Sequence, residues 1–185
     1  DEVVRAVEMK ETSGDLSGYF EITGLLTDPT IRSDLKIEKF HLKSLEVDTL
    51  ATRVDVSKLM TDRQGYINFR TSSGKLGPVP ITAGDGSIIL EGKKVRLKDL
   101  KLYNANDYAF LNGMITTGPD QTLIELSDVR AVYQNYDLQN MEPISVLITP
   151  EGIGVERVEL LTPGGQLRFG GTFFKPDSVY FFGAV

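Results

Sequence analysis

The chain has 185 residues, 41% of them hydrophobic, and its 26 acidic and 20 basic residues give a net charge of −6. That much apolar side chain excludes a disordered segment, and the acidic balance argues against a nucleic-acid partner, whose phosphates favour a basic protein face. The absence of cysteine excludes disulfides, thiolate catalysis and cysteine-based zinc sites, and fits an oxidising compartment where stray thiols are a liability.

The chain opens Asp1-Glu2-Val3, with no Met, no basic n-region and no apolar h-region, and so reads as a mature form or a piece cut from a longer protein. No apolar run approaches the roughly 20 residues of a membrane span. Alternation with a period of two then dominates. Leu16–Ile22, Leu35–Ile37, Leu45–Val47 and Val54–Val56 read as half-buried strands, and so do Val95–Leu97, Leu100–Leu102, Ile153–Val155 and Val158–Leu160. The best helix candidate is Val56–Asp62, one or two turns with Leu59 and Met60 as anchors. Turn signals fall at Thr27-Asp28-Pro29, Ala83-Gly84-Asp85-Gly86, Gly118-Pro119-Asp120, Pro150-Glu151-Gly152, Pro163-Gly164-Gly165 and Lys175-Pro176-Asp177. About a dozen strands with such spacing predict an all-β chain.

Residues 86–116 and 144–174 are two copies of one apolar pattern, displaced by 58 positions without a gap. Ile88 and Leu90 match Val146 and Ile148, while Val95, Leu97, Leu100 and Leu102 match Ile153, Val155, Val158 and Leu160. Leu111, Gly113 and Ile115 match Phe169, Gly171 and Phe173. A fainter copy, Leu35, Ile37, Phe40 and Leu42, lies 60 positions before the copy at 86–116. The expected units are 14–60, 86–143 and 144–185 of one repetitive domain, stacked so that each buries its apolar face on its neighbours.

All three copies space their apolar residues i, i+2, i+5, i+7, where a regular strand would place i+4 at Lys39, Asp99 or Arg157. One extra residue per strand restores the apolar set to one face, so a β-bulge or tight corner is expected at each of these positions.

Chemistry-bearing clusters are weaker signals. His41, between Phe40 and Leu42, points to the polar face without a second histidine. The carboxylate pairs Asp85 and Glu91, Glu125 and Asp128, Glu156 and Glu159 lie among apolar alternations and read as outer strand faces. Gly164-Gly165 and Gly170-Gly171 are hairpin and bulge glycines rather than a phosphate loop. The basic cluster Lys93, Lys94, Arg96, Lys98 and Lys101 could meet anionic headgroups. The favoured reading is a solvated face, with Lys98 and Lys101 pairing with their counterparts Glu156 and Glu159 if equivalent strands lie side by side.

The segments Val95–Leu102 with Tyr108–Gly113, Ile153–Leu161 with Pro163-Gly-Gly and Gln166–Gly171, and Gly14–Gly24 with Asp28-Pro29 resemble the repeating segments of the TamB and AsmA-like family. The resemblance touches most of the chain, through patterned β repeats rather than an invariant signature. It implies a fragment of a large envelope protein of diderm bacteria, anchored in the inner membrane by an N-terminal helix and lying in the periplasm. The body would be a taco-shaped β-sheet with a hydrophobic interior that carries phospholipids towards the outer membrane. It also implies an outer-membrane barrel partner and a link to outer-membrane protein assembly.

The expected fold is therefore an elongated, strongly curved antiparallel or mixed sheet forming an open groove; the alternative is a β-sandwich or jelly roll. The groove would be lined by Leu35, Ile37, Phe40, Leu42, Ile88, Leu90, Val95, Leu97, Leu100, Leu102, Leu111, Val146, Ile148, Ile153, Val155, Val158, Leu160, Phe169 and Phe173, and a dozen strands at ~4.8 Å would make it roughly 55–60 Å long. Sheltering acyl chains needs no catalysis, cofactor or metal. The rival readings are a structural or adhesive β-sandwich with the stripe sealed as core, and a carbohydrate-active enzyme, against which the absence of Trp counts. The isolated segment is expected to self-associate through edge strands, with Ser178–Val185 and Val3–Val7 as candidates.

Overall fold

The computed structural model describes residues 12–134, 136–174 and 178–184, with residues 12, 173, 174 and 178–184 by backbone alone. The Val3–Val7 run and the Lys175-Pro176-Asp177 turn lie outside the described residues. The chain is all-β. Its strands are β1 (Thr12–Leu25), β2 (Asp28–Leu42), β3 (Leu45–Ser57), β4 (Gln64–Thr71) and β5 (Gly74–Leu76). They continue with β6 (Val79–Ile81), β7 (Ala83–Glu91), β8 (Lys94–Asn104), β9 (Asp107–Thr117) and β10 (Thr122–Tyr133). The last five are β11 (Tyr136–Asn140), β12 (Ile144–Ile148), β13 (Gly152–Thr162), β14 (Gly165–Phe174) and β15 (Ser178–Ala184).

All fifteen belong to one sheet, in which chain order is nearly sheet order: β1-β2-β3-β4-β7-β8-β9-β10-β11-β13-β14-β15. Off this path β5 pairs β3 and β6, and β12 pairs β10 and β13. Every described pairing is antiparallel, which settles the antiparallel-or-mixed expectation. The strand count exceeds a dozen because β4–β5, β6–β7 and β11–β12 are long strands interrupted partway.

Two-residue turns make most of the reversals. Leu25 pairs Asp28, Leu42 pairs Leu45, Leu76 pairs Val79, Glu91 pairs Lys94, Asn104 pairs Asp107 and Thr162 pairs Gly165. Four of these turns contain a left-handed residue: Gly92 (φ 62°) and Gly77 (φ 58°), but also Lys43 (φ 52°) and Ala105 (φ 51°).

Two local expectations are corrected. Val56–Asp62 forms no helix: β3 runs through Ser57, and Lys58 turns left-handed at φ 52°. The loop after it is pinned to β2, because Met60 N and Thr61 Oγ1 donate to the Asp28 carboxylate at 3.2 and 2.7 Å. Ala83–Gly86 is no turn but the start of β7. Its glycines leave room for the leucines across from them: a Cβ on Gly84 would lie 2.8 Å from Leu102 Cδ2, and one on Gly86 would crowd Leu100 Cδ2.

The register slips where the apolar spacing skips. Lys39 and Phe40 together oppose Gly14, since Ser13 pairs His41 and Asp15 pairs Glu38. Between Leu97 and Leu100 the β8–β9 register shifts, and between Val155 and Val158 the β13–β14 register shifts. Lys39 and Asp99 both sit at φ 52°, whereas the β13 slip contains no left-handed residue. Strand β10 carries a further bulge at Ser127. The boundaries of β8 and β13 are displaced by the same 58 positions, and so are their slips.

Side chains cap the backbone at these irregular places. Asp99 N donates to Asn112 Oδ1 at 2.6 Å, Thr49 N to Ser72 Oγ at 2.9 Å and Val129 N to Asn140 Oδ1 at 2.6 Å. Each satisfies a backbone donor that the ladder leaves unpaired. A left-handed conformation costs a non-glycine residue about 1–2 kcal/mol, least for Asp and most for β-branched side chains. Asp99→Val should therefore lower unfolding stability by about 1–2 kcal/mol while Asp99→Gly stays near wild type; urea titrations followed by far-UV circular dichroism check both.

Candidate functional site

Residues directly opposite each other in a sheet point to the same side, so the register fixes the composition of each face. One row crosses eleven strands: Ile22–Ile31–Val56–Gly65–Leu90–Val95–Ile115–Ile124–Val146–Val155–Gly171. It contains only Ile, Val, Leu and Gly, and at ~4.8 Å per strand it runs about 48 Å. The parallel row Phe20–Ser33–Val54–Ile67–Ile88–Leu97–Gly113–Leu126–Ile144 lies on the same face.

Beyond the bulges this face continues. Leu100 pairs Leu111, and Leu102 pairs Ala109. Because Leu97 pairs Gly113, two positions from Leu111, Leu97 and Leu100 share a face despite their odd spacing. Val158 pairs Phe169 and Leu160 pairs Leu167, with Val155 opposite Gly171 and Ile153 opposite Phe173. Leu35, Ile37, Phe40 and Leu42 oppose Thr52, Leu50, Val47 and Leu45, and Ile148 opposes Ile153. All nineteen residues singled out in the sequence therefore fall on one face by register, Phe173 by backbone position alone. The groove-lining set expected from the sequence left out Val54, Val56, Ile67, Phe69, Ile124 and Leu126. Their strands alternate equally well, but they lie outside the repeated stripe.

Burial on this face is shallow. Among the described residues the buried hydrophobic ones are Val47, Val56, Ile81, Ile144 and Val158, and no large side chain is fully buried. Leu90, Val95, Ile115, Ile124, Val146 and Val155 are half-buried. Few polar groups interrupt the face. Asn140, 8% exposed, accepts from Val129 N and donates to the carbonyls of Ser127 and Glu142. Thr71, also 8% exposed, leaves its Oγ1 without a hydrogen-bond partner.

The sheet parts at one place. Strand β6 pairs with β5 alone among the described residues, and its link to β8 is Thr82, whose N and Oγ1 both donate to Tyr103 O at 2.7 and 3.0 Å. A pocket of ≈ 230 Å³ opens there, lined chiefly by Leu76, Val79, Ile81, Leu102, Ala109 and Ala131 together with Tyr103 and Tyr108.

The opposite face is polar and laced with ion pairs: Arg32–Asp55 (3.6 Å), Lys36–Glu38 (2.6 Å), Lys75–Glu46 (3.1 Å), Arg96–Glu91 (3.1 Å) and Arg130–Asp128 (3.0 Å). His41 lies there, 3.6 Å from Glu46. The expected pairing of Lys98 and Lys101 with Glu156 and Glu159 does not form. Strands β8 and β13 are four positions apart in the sheet. Lys101 Nζ instead lies 5.9 Å from the centre of the Phe110 ring, and Glu159 binds Arg157 on its own strand and Arg168 on β14 at 2.8 Å.

Titration shifts stay on exposed groups. The Lys36 ammonium holds the Glu38 carboxyl below its ordinary range, the Thr149 hydroxyl does the same for Glu151, and a hydrogen bond to Glu21 raises the Tyr19 phenol. Among the described residues no three His, Asp or Glu side chains converge as a metal site. Comparison with protein-family models, with curated proteins and with solved structures finds no match.

A buried hydroxyl without a partner costs about 1–3 kcal/mol. Thr71→Val keeps the shape and removes that penalty, so it should raise unfolding stability by about 1 kcal/mol, measured by chemical denaturation.

Proposed function

We propose that this chain is a segment of a lipid-transport bridge in the bacterial envelope, sheltering phospholipid acyl chains along its apolar face between inner and outer membranes. The observation that carries the reading is the unbroken row from Ile22 to Gly171 across eleven strands. An acyl chain gains about 0.8 kcal/mol per CH₂ removed from water, and a row without charge offers that gain along its whole length. The accessible surface supports an open face: it is 12661 Å² for 20.4 kDa, where a compact monomer exposes about 8,800 Å².

The resemblance to the TamB and AsmA-like family supplies the rest of the proposal. It places the segment in the periplasm as part of a longer protein anchored in the inner membrane, and gives that protein an outer-membrane barrel partner. Among the described residues no helix is long and apolar enough to cross a membrane. The function proposed here is transport by binding, without a catalytic step.

The test is lipid extraction and mass spectrometry of the purified chain, followed by titration with a fluorescent phospholipid. Phospholipid should co-purify. Leu100→Asp should weaken binding about tenfold or more, because an unpaired charge on an apolar path is disfavoured. Lys98→Asp on the opposite face should leave binding unchanged. A chain that carries no lipid and excludes apolar dyes would favour the structural β-sandwich reading instead.

A further inference from the structure

Three strands keep a free edge among the described residues, β1, β6 and β15, and the first two are built differently. Strand β6 is three residues long and carries Pro80 at its centre, the usual ways of blunting an edge against another strand. Strand β1 is fourteen residues long, pairs with β2 alone, and contains no Pro, Lys or Arg. Its inward residues Leu16, Phe20 and Ile22 are 64, 57 and 57% exposed, whereas the residues continuing their rows on β3 to β13 are half-buried or buried, Ala109 excepted. Among the described residues the apolar rows end on β1 without a neighbour to cover them, and one edge of the β1 backbone has no strand partner.

We propose that β1 is an interaction surface for β1 of a second copy of this chain, the two strands pairing antiparallel about a twofold axis at Tyr19. Parity restricts the choice. The apolar faces of the two sheets become continuous only if even-numbered residues meet even-numbered ones. Two such registers give the longest overlap. The one centred on Gly18 sets Asp15 against Glu21 twice, and like charges directly opposite are unfavourable. The one centred on Tyr19 sets Leu16 against Ile22 and Phe20 against Gly18, where the absent Cβ leaves room for the ring. On the other face it sets Glu21 against Ser17 and Asp15 against Thr23, so no carboxylate faces another. The pairing is isologous and closes at two copies. It joins both apolar faces into one surface, and it stands independently of the cargo: lipid extraction can fail with the dimer intact.

The chain has no cysteine, so single-cysteine variants report register without background. Antiparallel partners have Cα atoms about 4.5–5.5 Å apart, within disulfide range. Tyr19→Cys should therefore oxidise to a covalent dimer. Ser17→Cys or Glu21→Cys alone should not, being roughly 14 Å from their own copies, but a mixture of those two variants should cross-link. The unmodified chain should sediment as a monomer–dimer equilibrium. Phe20→Lys should remain monomeric with its strand content retained by circular dichroism. A chain that stays monomeric over the whole concentration series overturns the proposal. So do cross-links of equal yield at positions 17, 19 and 21, and so does a ladder of species beyond the dimer, which would indicate head-to-tail pairing with β15.

Discussion

Side-chain parity governs this fold. In a strand each added residue sends its side chain to the other face, so a sheet with one apolar face tolerates no unpaired slip. This chain inserts single residues into its long strands and keeps the apolar set on one side. The extra residues at Lys39, Asp99 and Ser127, and the slip between Val155 and Val158, each shift the register by one. Without the shift at Asp99, Leu100 and Leu102 would point with Lys98 into solvent. The polar caps follow from the same constraint. A bulge breaks the ladder, the freed N–H needs an acceptor, and Asn112 and Asn140 provide it from neighbouring strands, while Ser72, between β4 and β5, does the same for Thr49.

Most of this was legible in the sequence because the sheet reads spacing rather than identity. The pattern at Val95, Leu97, Leu100 and Leu102 announces both the strand and its slip, and its recurrence 58 positions later announces β13 with the same boundaries relative to the slip. What escaped depends on who neighbours whom. Glycines at Gly84 and Gly86 look like a turn until Leu100 and Leu102 are placed across from them. Lys98 and Glu156 look like partners until the intervening strands are counted. Asn104-Ala105-Asn106-Asp107 reads as a polar turn between Leu102 and Tyr108, whereas the hairpin turn at Lys43-Ser44 carries no glycine or proline and was not singled out. The parting of β6 from β8 at Thr82 is equally silent, because Val79-Pro80-Ile81 alternates like any other short strand.

The apolar face and the polar face answer different requirements. On the polar side, exposed ion pairs such as Arg32–Asp55 and Lys75–Glu46 are each worth only about 0–1 kcal/mol. They keep that face wet and unsuited to pairing with anything greasy. On the apolar side, Val56, Ile144 and Val158 are buried while the residues between them remain partly accessible. Strand-to-strand hydrogen bonding, rather than a dense central core, ties the two together. Glu159 is the exception, a buried carboxylate on the polar face held between Arg157 and Arg168; loss of either arginine would leave a charge with less compensation than it needs.

Strand order has a consequence for how such a molecule changes length. Because the chain visits sheet positions almost in succession, the 58-residue displacement from β8 to β13 corresponds to four positions in the sheet. Duplicating or deleting one such block would insert or remove hairpins whose ends already match, leaving every other pairing as it was. The span of the sheet is thus quantised in steps of about 19 Å. Each step is a single gene-level event that meets a ready-made joint on both sides, and spans between these steps require a new joint.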